Sequence, residues 1–165
     1  MTSGQGAAYD EFVETVRTEL KSVPGLKIQL LAPGAEGAAA RLPEILARLH
    51  HGRQSAAITG TNGKSTTTAL LGHILKKCNV ETEVGGNIGY PVLDLDMPPH
   101  EGAFVIEMSS YQIDLCPTYA PDIAVHLNLT PDHLDRHGDM AGYYQAKKSM
   151  FKGTGSAIIG VDDEY

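Results

Sequence analysis

A disulfide framework is the first thing this sequence lacks. Only two cysteines, Cys78 and Cys116, occur in 165 residues, with neither the number nor the spacing of a stapled fold or a cysteine metal site, which suits a reducing compartment. Excess positive charge is missing too. With 13 Lys and Arg against 20 Asp and Glu, a net charge of -7, there is no broad basic face, and no nucleic-acid partner is expected. No apolar run approaches the length that crosses a bilayer, so no membrane insertion is expected, and Met1-Thr-Ser-Gly-Gln-Gly6 has neither the basic flank nor the apolar core of a secretory leader. The expected location is cytoplasmic. The length suits a single domain with a real core.

What is present centres on Ser55-Ala-Ala-Ile-Thr-Gly-Thr-Asn-Gly-Lys-Ser-Thr-Thr-Thr68. The apolar run Ala56-Ala57-Ile58 reads as a strand, Gly60 and Gly63 as a turn, and Leu70, Leu71, Ile74, Leu75 and Cys78 as one stripe of a helix. Strand, glycine loop and helix in that order make a phosphate cradle. Backbone N–H groups close round phosphate oxygens, the helix N-terminus adds partial positive charge, Lys64 reaches terminal phosphates, and a Ser65 or Thr66 hydroxyl can ligate Mg²⁺. The loop is a shortened variant, because the glycine expected five positions before Gly63 is Ile58. It reads as an ATP or GTP site, the competing reading being a Gly-Asn turn beside a chance lysine.

Upstream, Tyr9, Phe12, Val13, Val16 and Leu20 form a helical stripe stopped by Pro24-Gly25; Leu26 to Leu31 alternates like a strand, and Leu42 to His50 returns to helical spacing. No chemistry is evident there. His50-His51 reads as a solvated pair, since neighbours on a helix point apart. Downstream, Gly86-Asn-Ile-Gly89 is either an ordinary turn or a backbone segment that lets a ligand approach.

Ala103-Phe-Val-Ile106 is a strand ending in Glu107, which either faces solvent or holds Mg²⁺ beside the phosphate loop. The strand Ile123 to Leu127 runs into Asn128-Leu-Thr-Pro-Asp-His-Leu-Asp-Arg-His137, a density of polar groups hard to explain as a mere turn. Spacing does not say which histidine binds a metal. In a helix spanning Met140 to Phe151, Lys147 falls within the apolar arc of Met140, Tyr143, Ala146, Met150 and Phe151, with Lys148 to one side. Such a lysine either snorkels to solvent or is desolvated with a depressed pKa, able as a neutral amine to add carbon dioxide as a carbamate. Ala157 to Val161 is a last strand.

Taken together, Thr59-Gly-Thr-Asn-Gly-Lys-Ser-Thr66, Gly86-Asn-Ile-Gly89, Glu107-Met-Ser-Ser-Tyr-Gln112, Asn128 to His137 and Tyr144-Gln-Ala-Lys147 resemble the central ATP-binding domain of the Mur ligases. The second and third motifs are most similar to the D-glutamate-adding branch of that family. The resemblance covers about Ser55 to Glu164. It implies an α/β fold, a mostly parallel sheet flanked by helices of the P-loop NTPase kind, with residues 1–54 a segment of uncertain fold and 55–165 a central domain incomplete at its C-terminal end.

By that resemblance Gly60, Thr61, Asn62, Gly63, Lys64, Ser65 and Thr66 would hold ATP, with Lys64 on the β- and γ-phosphates. Ser65 and Glu107 would hold one Mg²⁺, and Glu107, His133 and carbamylated Lys147 a second. Lys64, Glu107, His133 and Lys147 would be catalytic. Asn87, Ser109 and Gln112 would bind substrate, Asn87 near the muramoyl group. The implied activity joins D-glutamate to UDP-MurNAc-L-alanine through an acyl-phosphate, in peptidoglycan synthesis. Family members carry further domains for the uridine nucleotide and for closing over ATP. The chain is therefore expected to be a fragment or truncated product, inactive alone, its missing domains conceivably on another chain. A nucleotide-binding module without turnover and a related ligase such as folylpolyglutamate synthase are the alternatives. A dinucleotide oxidoreductase fits poorly, because Gly60-Thr-Asn-Gly63 lacks G-x-G-x-x-G spacing.

Overall fold

The computed structural model describes residues 27–31, 54–152 and 155–161. The helices expected over Tyr9 to Leu20 and Leu42 to His50, and the His50-His51 pair, lie outside the described residues.

Among the described residues six strands form one sheet: β1 (Lys27–Leu31), β2 (Gln54–Thr59), β3 (Thr82–Gly86), β4 (Ala103–Glu107), β5 (Ile123–His126) and β6 (Ser156–Gly160). Their spatial order is β1-β6-β5-β2-β4-β3, and every pairing is parallel. The helices are α1 (Lys64–Lys77), α2 (Ser110–Leu115), α3 (Leu134–His137) and α4 (Met140–Lys148). This is the α/β architecture the sequence implied. One strand, β1, comes from the segment before residue 54, and it hydrogen-bonds along β6 from Lys27↔Ser156 to Leu31↔Gly160. The sheet thus reaches into the part of the chain whose fold the sequence left open.

Because β2 has neighbours on both edges and helices over both faces, its residues must be apolar on both sides, and Ala56, Ala57 and Ile58 are fully buried. Alternation splits the core. Ala56, Ile58, Val105 and Val125 pack with Leu71 and Leu75 of α1, while Ala57, Ile106, Ala124 and Ile159 pack with Tyr143, Met150 and Phe151. Gly72 lets α1 lie close on the sheet, since a Cβ there would run into the Val84 side chain.

Two helix boundaries differ from expectation. Helix α1 ends at Lys77, so Cys78 is its exposed C-cap rather than part of the buried stripe. Helix α4 ends at Lys148; Met150 and Phe151 still reach the core, but from the turn that follows.

The topology positions the site. From central β2 the chain goes out to edge strand β3, returns to β4, then crosses to β5 on the other side of β2. In parallel sheets such a reversal opens a crevice at the carboxyl ends of the strands. The loops after β2, β4 and β5 all emerge there.

Candidate functional site

The loop after β2 depends on two glycines in the left-handed half of backbone space. Gly60 has φ 151 and would push a Cβ against Leu127; Gly63 has φ 79 and forms the N-cap of α1. No side chain caps α1 among the described residues. Its first N–H groups, which no helix can satisfy internally, are left for an anion. Asn128, just past β5, clamps the loop. Its Oδ1 accepts from the N–H groups of Thr61 (3.0 Å) and Asn62 (2.8 Å), and its Nδ2 donates to the Asn62 carbonyl at 3.1 Å. Thr61 adds a second tie, its Oγ1 accepting from Thr130 N–H and lying 3.3 Å from the Tyr143 hydroxyl.

Lys64 folds back over its own loop, donating to the carbonyls of Gly60 (3.1 Å) and Thr61 (2.7 Å). The Lys147 ammonium reaches the same Gly60 oxygen at 2.8 Å, and donates to Thr59 Oγ1 at 3.3 Å. It also stands 4.7 Å from the centre of the Tyr143 ring. Lys147 does not snorkel: it is 1% exposed. Burial, and next the charge of Lys64, push its pKa down from 10.5 to about 7, against an opposing pull from Asp132. His126, the register partner of Thr59, is buried on the same face; burial and then the Lys147 charge lower its pKa to about 3, so it stays neutral.

Glu107 ends β4, in register with Ile58 of β2, and is 1% exposed, so the solvent-facing alternative does not hold. Asn87 holds it from the side: its N–H donates to the Glu107 carbonyl at 2.9 Å and its Nδ2 to Oε1 at 3.1 Å. That approach needs Gly86, at φ 105, where a Cβ would collide with the Glu107 carbonyl oxygen. Among the described residues no hydrogen bond reaches Glu107 Oε2. A buried carboxylate oxygen with no donor fits a cation. Among the described residues no three His, Cys, Asp or Glu side chains gather as a metal cage. Mg²⁺ does not require one, since it commonly takes one or two carboxylates plus phosphate oxygens and water. A site built from Glu107, the exposed Ser65 at the start of α1 and a nucleotide fits that habit.

The structure separates the two histidines that spacing left open. His137 is an anchor, with Nε2 2.9 Å from Ser110 Oγ and Nδ1 3.9 Å from Asp114. His133 starts α3 at φ 52, a left-handed conformation costly for a side-chain-bearing residue, and its ring is 44% exposed with Nε2 3.4 Å from Asp132. Its ring centre lies 6.3 Å from that of Tyr143, so His133 and Lys147 flank the same aromatic ring. Ser109 and Gln112 cap α2 reciprocally: Gln112 N–H donates to Ser109 Oγ, and Ser109 N–H to Gln112 Oε1. Gln112 also lines a cavity next to Glu107. Asn128, Tyr143, Thr59 and His126 were not singled out from sequence. For Tyr143 a signal existed, four residues before Lys147 on one helix face.

A glycine-loop helix with no side-chain cap and a buried carboxylate oxygen with no hydrogen bond, both among the described residues, meet a buried amine at the carboxyl ends of parallel strands, the geometry of a phosphate-loop α/β domain. Residues 58–165 match the Mur ligase middle domain, and the chain belongs to that family. It is 58% identical over 109 residues to the UDP-N-acetylmuramoylalanine--D-glutamate ligase of Agrobacterium fabrum, 59% to that of Rhizobium johnstonii and 54% to that of Brucella abortus. Each match covers 66% of this chain but 23% of the relative, so the chain spans about a quarter of the length of the curated relatives it matches. No helix among the described residues is long and apolar enough to cross a membrane.

Proposed function

We propose that the chain forms the phosphate- and metal-binding part of an ATP-dependent ligase that adds D-glutamate to UDP-MurNAc-L-alanine in peptidoglycan synthesis, in the cytoplasm. The observation that carries the reading is that, among the described residues, Oε2 of buried Glu107 has no hydrogen bond and the glycine-loop helix on the neighbouring strand has no side-chain cap. Residues Gly60 to Thr66 would wrap the ATP phosphates, Lys64 exchanging two loop carbonyls for phosphate oxygens. Ser65 and Glu107 would hold one Mg²⁺. Glu107, His133 and a carbamate on Lys147 would hold a second, the half-neutral amine at pH 7 giving up a proton as it adds carbon dioxide. Mg²⁺ there would supply charge neutralisation for transfer of the γ-phosphate to the substrate carboxylate; the amine of D-glutamate would then attack the acyl carbon of that acyl-phosphate, forming the amide, releasing inorganic phosphate and giving up a proton. Within the chain, Asn87 fixes the rotamer of Glu107, and the Asn128 clamp fixes the loop by taking up the Thr61 and Asn62 N–H groups, so that the N–H groups at the start of α1 are the ones left to meet phosphate without reorganisation. Asn87, Ser109 and Gln112 would border the muramoyl substrate.

Titration of Mg-ATP by calorimetry tests this. Lys64→Ala should weaken binding roughly 10- to 100-fold, as expected for loss of a charged hydrogen bond, whereas Lys76→Ala, exposed at the far end of α1, should bind like wild type. Equal losses would remove the loop from the site. A second reading, nucleotide binding without turnover by the 165-residue chain, is favoured by the 23% coverage of the relatives, the domains that position the acceptors then residing elsewhere, for instance on another chain. Phosphate release dependent on UDP-MurNAc-L-alanine and D-glutamate would refute it.

A further inference from the structure

Tyr111 and Arg136 belong to the motifs that supply Glu107 and His133, yet neither has a part in holding phosphate or metal. Tyr111 stands in the first turn of α2, 36% exposed, and three side chains from α3 and its cap gather on its ring. The His133 ring meets it edge-on, the centres 5.2 Å apart and the planes at 85°. The His137 ring lies 5.8 Å away at 69°, and the Arg136 guanidinium carbon is 5.5 Å from the Tyr111 ring centre. We propose that Tyr111 is a positioning residue for His133, its ring fixing the imidazole in the orientation that meets a divalent cation. This rests on the reading of His133 as a cation ligand.

His133 needs such a partner. Its left-handed backbone sets where the side chain leaves the chain but not how the ring turns, and the ring is 44% exposed. Asp132, 3.4 Å from Nε2, is itself 45% exposed, so solvent screens that pair and it holds the ring weakly. Two aromatic rings do more. Tyr111 stands edge-on to the imidazole as described, and Tyr143 lies 6.3 Å from it at 78°. Tyr143 is buried and also carries the Lys147 ammonium against its ring, so it cannot turn to suit His133. Tyr111 is held by its neighbours. Its helix starts in the Ser109–Gln112 capping box, and Ser110 Oγ lies 2.9 Å from His137 Nε2. The Arg136 N–H donates to the His133 carbonyl at 3.1 Å, so one short helix presents His133 and grips the Tyr111 ring at once. An imidazole ordered before the cation arrives loses less freedom on binding it.

Mn²⁺ used in place of Mg²⁺ tests this, because the electron spin echo of Mn²⁺ is modulated by a directly ligating imidazole nitrogen. The 165-residue chain with ADP and Mn²⁺ should show that modulation, and His133→Ala should abolish it. In Tyr111→Leu the Mn²⁺ concentration at half-maximal modulation should rise about 2- to 10-fold, as expected for loss of one edge-on aromatic pair. Tyr111→Phe keeps the ring and should match wild type. Arg136→Gln, an exposed change that loosens the ring, should fall between, and it decides the matter if urea unfolding shows Tyr111→Leu to be unfolded. Equal Mn²⁺ midpoints in wild type, Tyr111→Leu and Arg136→Gln, whatever their stability, would overturn this inference and leave His133 a ligand. So would a Tyr111→Phe as weak as Tyr111→Leu, which would place the effect on the hydroxyl. No nitrogen modulation in wild type, or modulation that survives His133→Ala, would overturn the ligand reading and this inference with it.

Discussion

Lys147→Met removes the buried ammonium while keeping an unbranched side chain of similar length, and its effect on stability should depend on pH in a defined way. In the folded chain the Lys147 pKa lies near 7 against an ordinary 10.5. At about 1.4 kcal/mol per unit, this places a ceiling of roughly 5 kcal/mol on the cost of burying the charge. Below pH 7 both folded and unfolded chains carry the proton, so the cost is present in full and does not vary. Between about 7 and 10.5 the unfolded chain binds the proton and the folded chain does not. Wild-type stability therefore gains up to about 1.4 kcal/mol per pH unit from this residue as pH rises through that window.

Lys147→Met has no such contribution. It also leaves Thr59 Oγ1 and the Gly60 carbonyl without the Lys147 donor, a loss that does not vary with pH. The absolute difference between the two proteins thus mixes two effects, but its slope isolates one. Urea unfolding in CO₂-free buffer at pH 8, 9 and 10 should show wild type gaining on Lys147→Met by about 1.4 kcal/mol per unit, other titrations cancelling in the comparison. Parallel stability curves would mean that Lys147 keeps its proton in the fold, and would remove the basis for a neutral amine that adds carbon dioxide.

Gly86→Ala should cost about 2–4 kcal/mol in urea unfolding, because a strained φ and a clash with the Glu107 carbonyl coincide, whereas Gly138→Ala, at φ 84 with nothing near its Cβ, should cost about 1 kcal/mol. Asn128→Ala, removing the clamp on Thr61 and Asn62, should destabilise the chain by about 1–3 kcal/mol and weaken Mg-ATP binding by calorimetry. In a longer protein carrying this domain with the proposed ligase activity, Lys147→Ala should lose turnover and regain part of it with added acetate, while Lys148→Ala, half-buried beside it, should stay near wild type in a phosphate-release assay.

Local rules carried the sequence reading as far as local chemistry reaches. The cradle between Ala56 and Thr68 was legible because strand, positive-φ glycines and helix start are set by neighbours in sequence. A helical wheel set Lys147 amid Tyr143 and Ala146 but left open whether its amine snorkels to solvent; the structure buries it. What stayed hidden depends on segments that meet across the sheet. The Asn128 clamp joins loops 66 residues apart, and it exists because β5 lies against β2. No spacing rule could choose between His133 and His137. What sets their surroundings apart is Ser110, whose Oγ meets His137 Nε2 only once α2 has packed against α4. The same holds for His126, whose neutrality comes first from burial in the sheet and then from the charge of Lys147, twenty-one residues on. Fold and loop chemistry were thus readable because they repeat short-range physics. The electrostatic partnership of Lys64, Lys147 and the Gly60 carbonyl was not, because two of its three members come from different elements and meet only after the parallel sheet has closed.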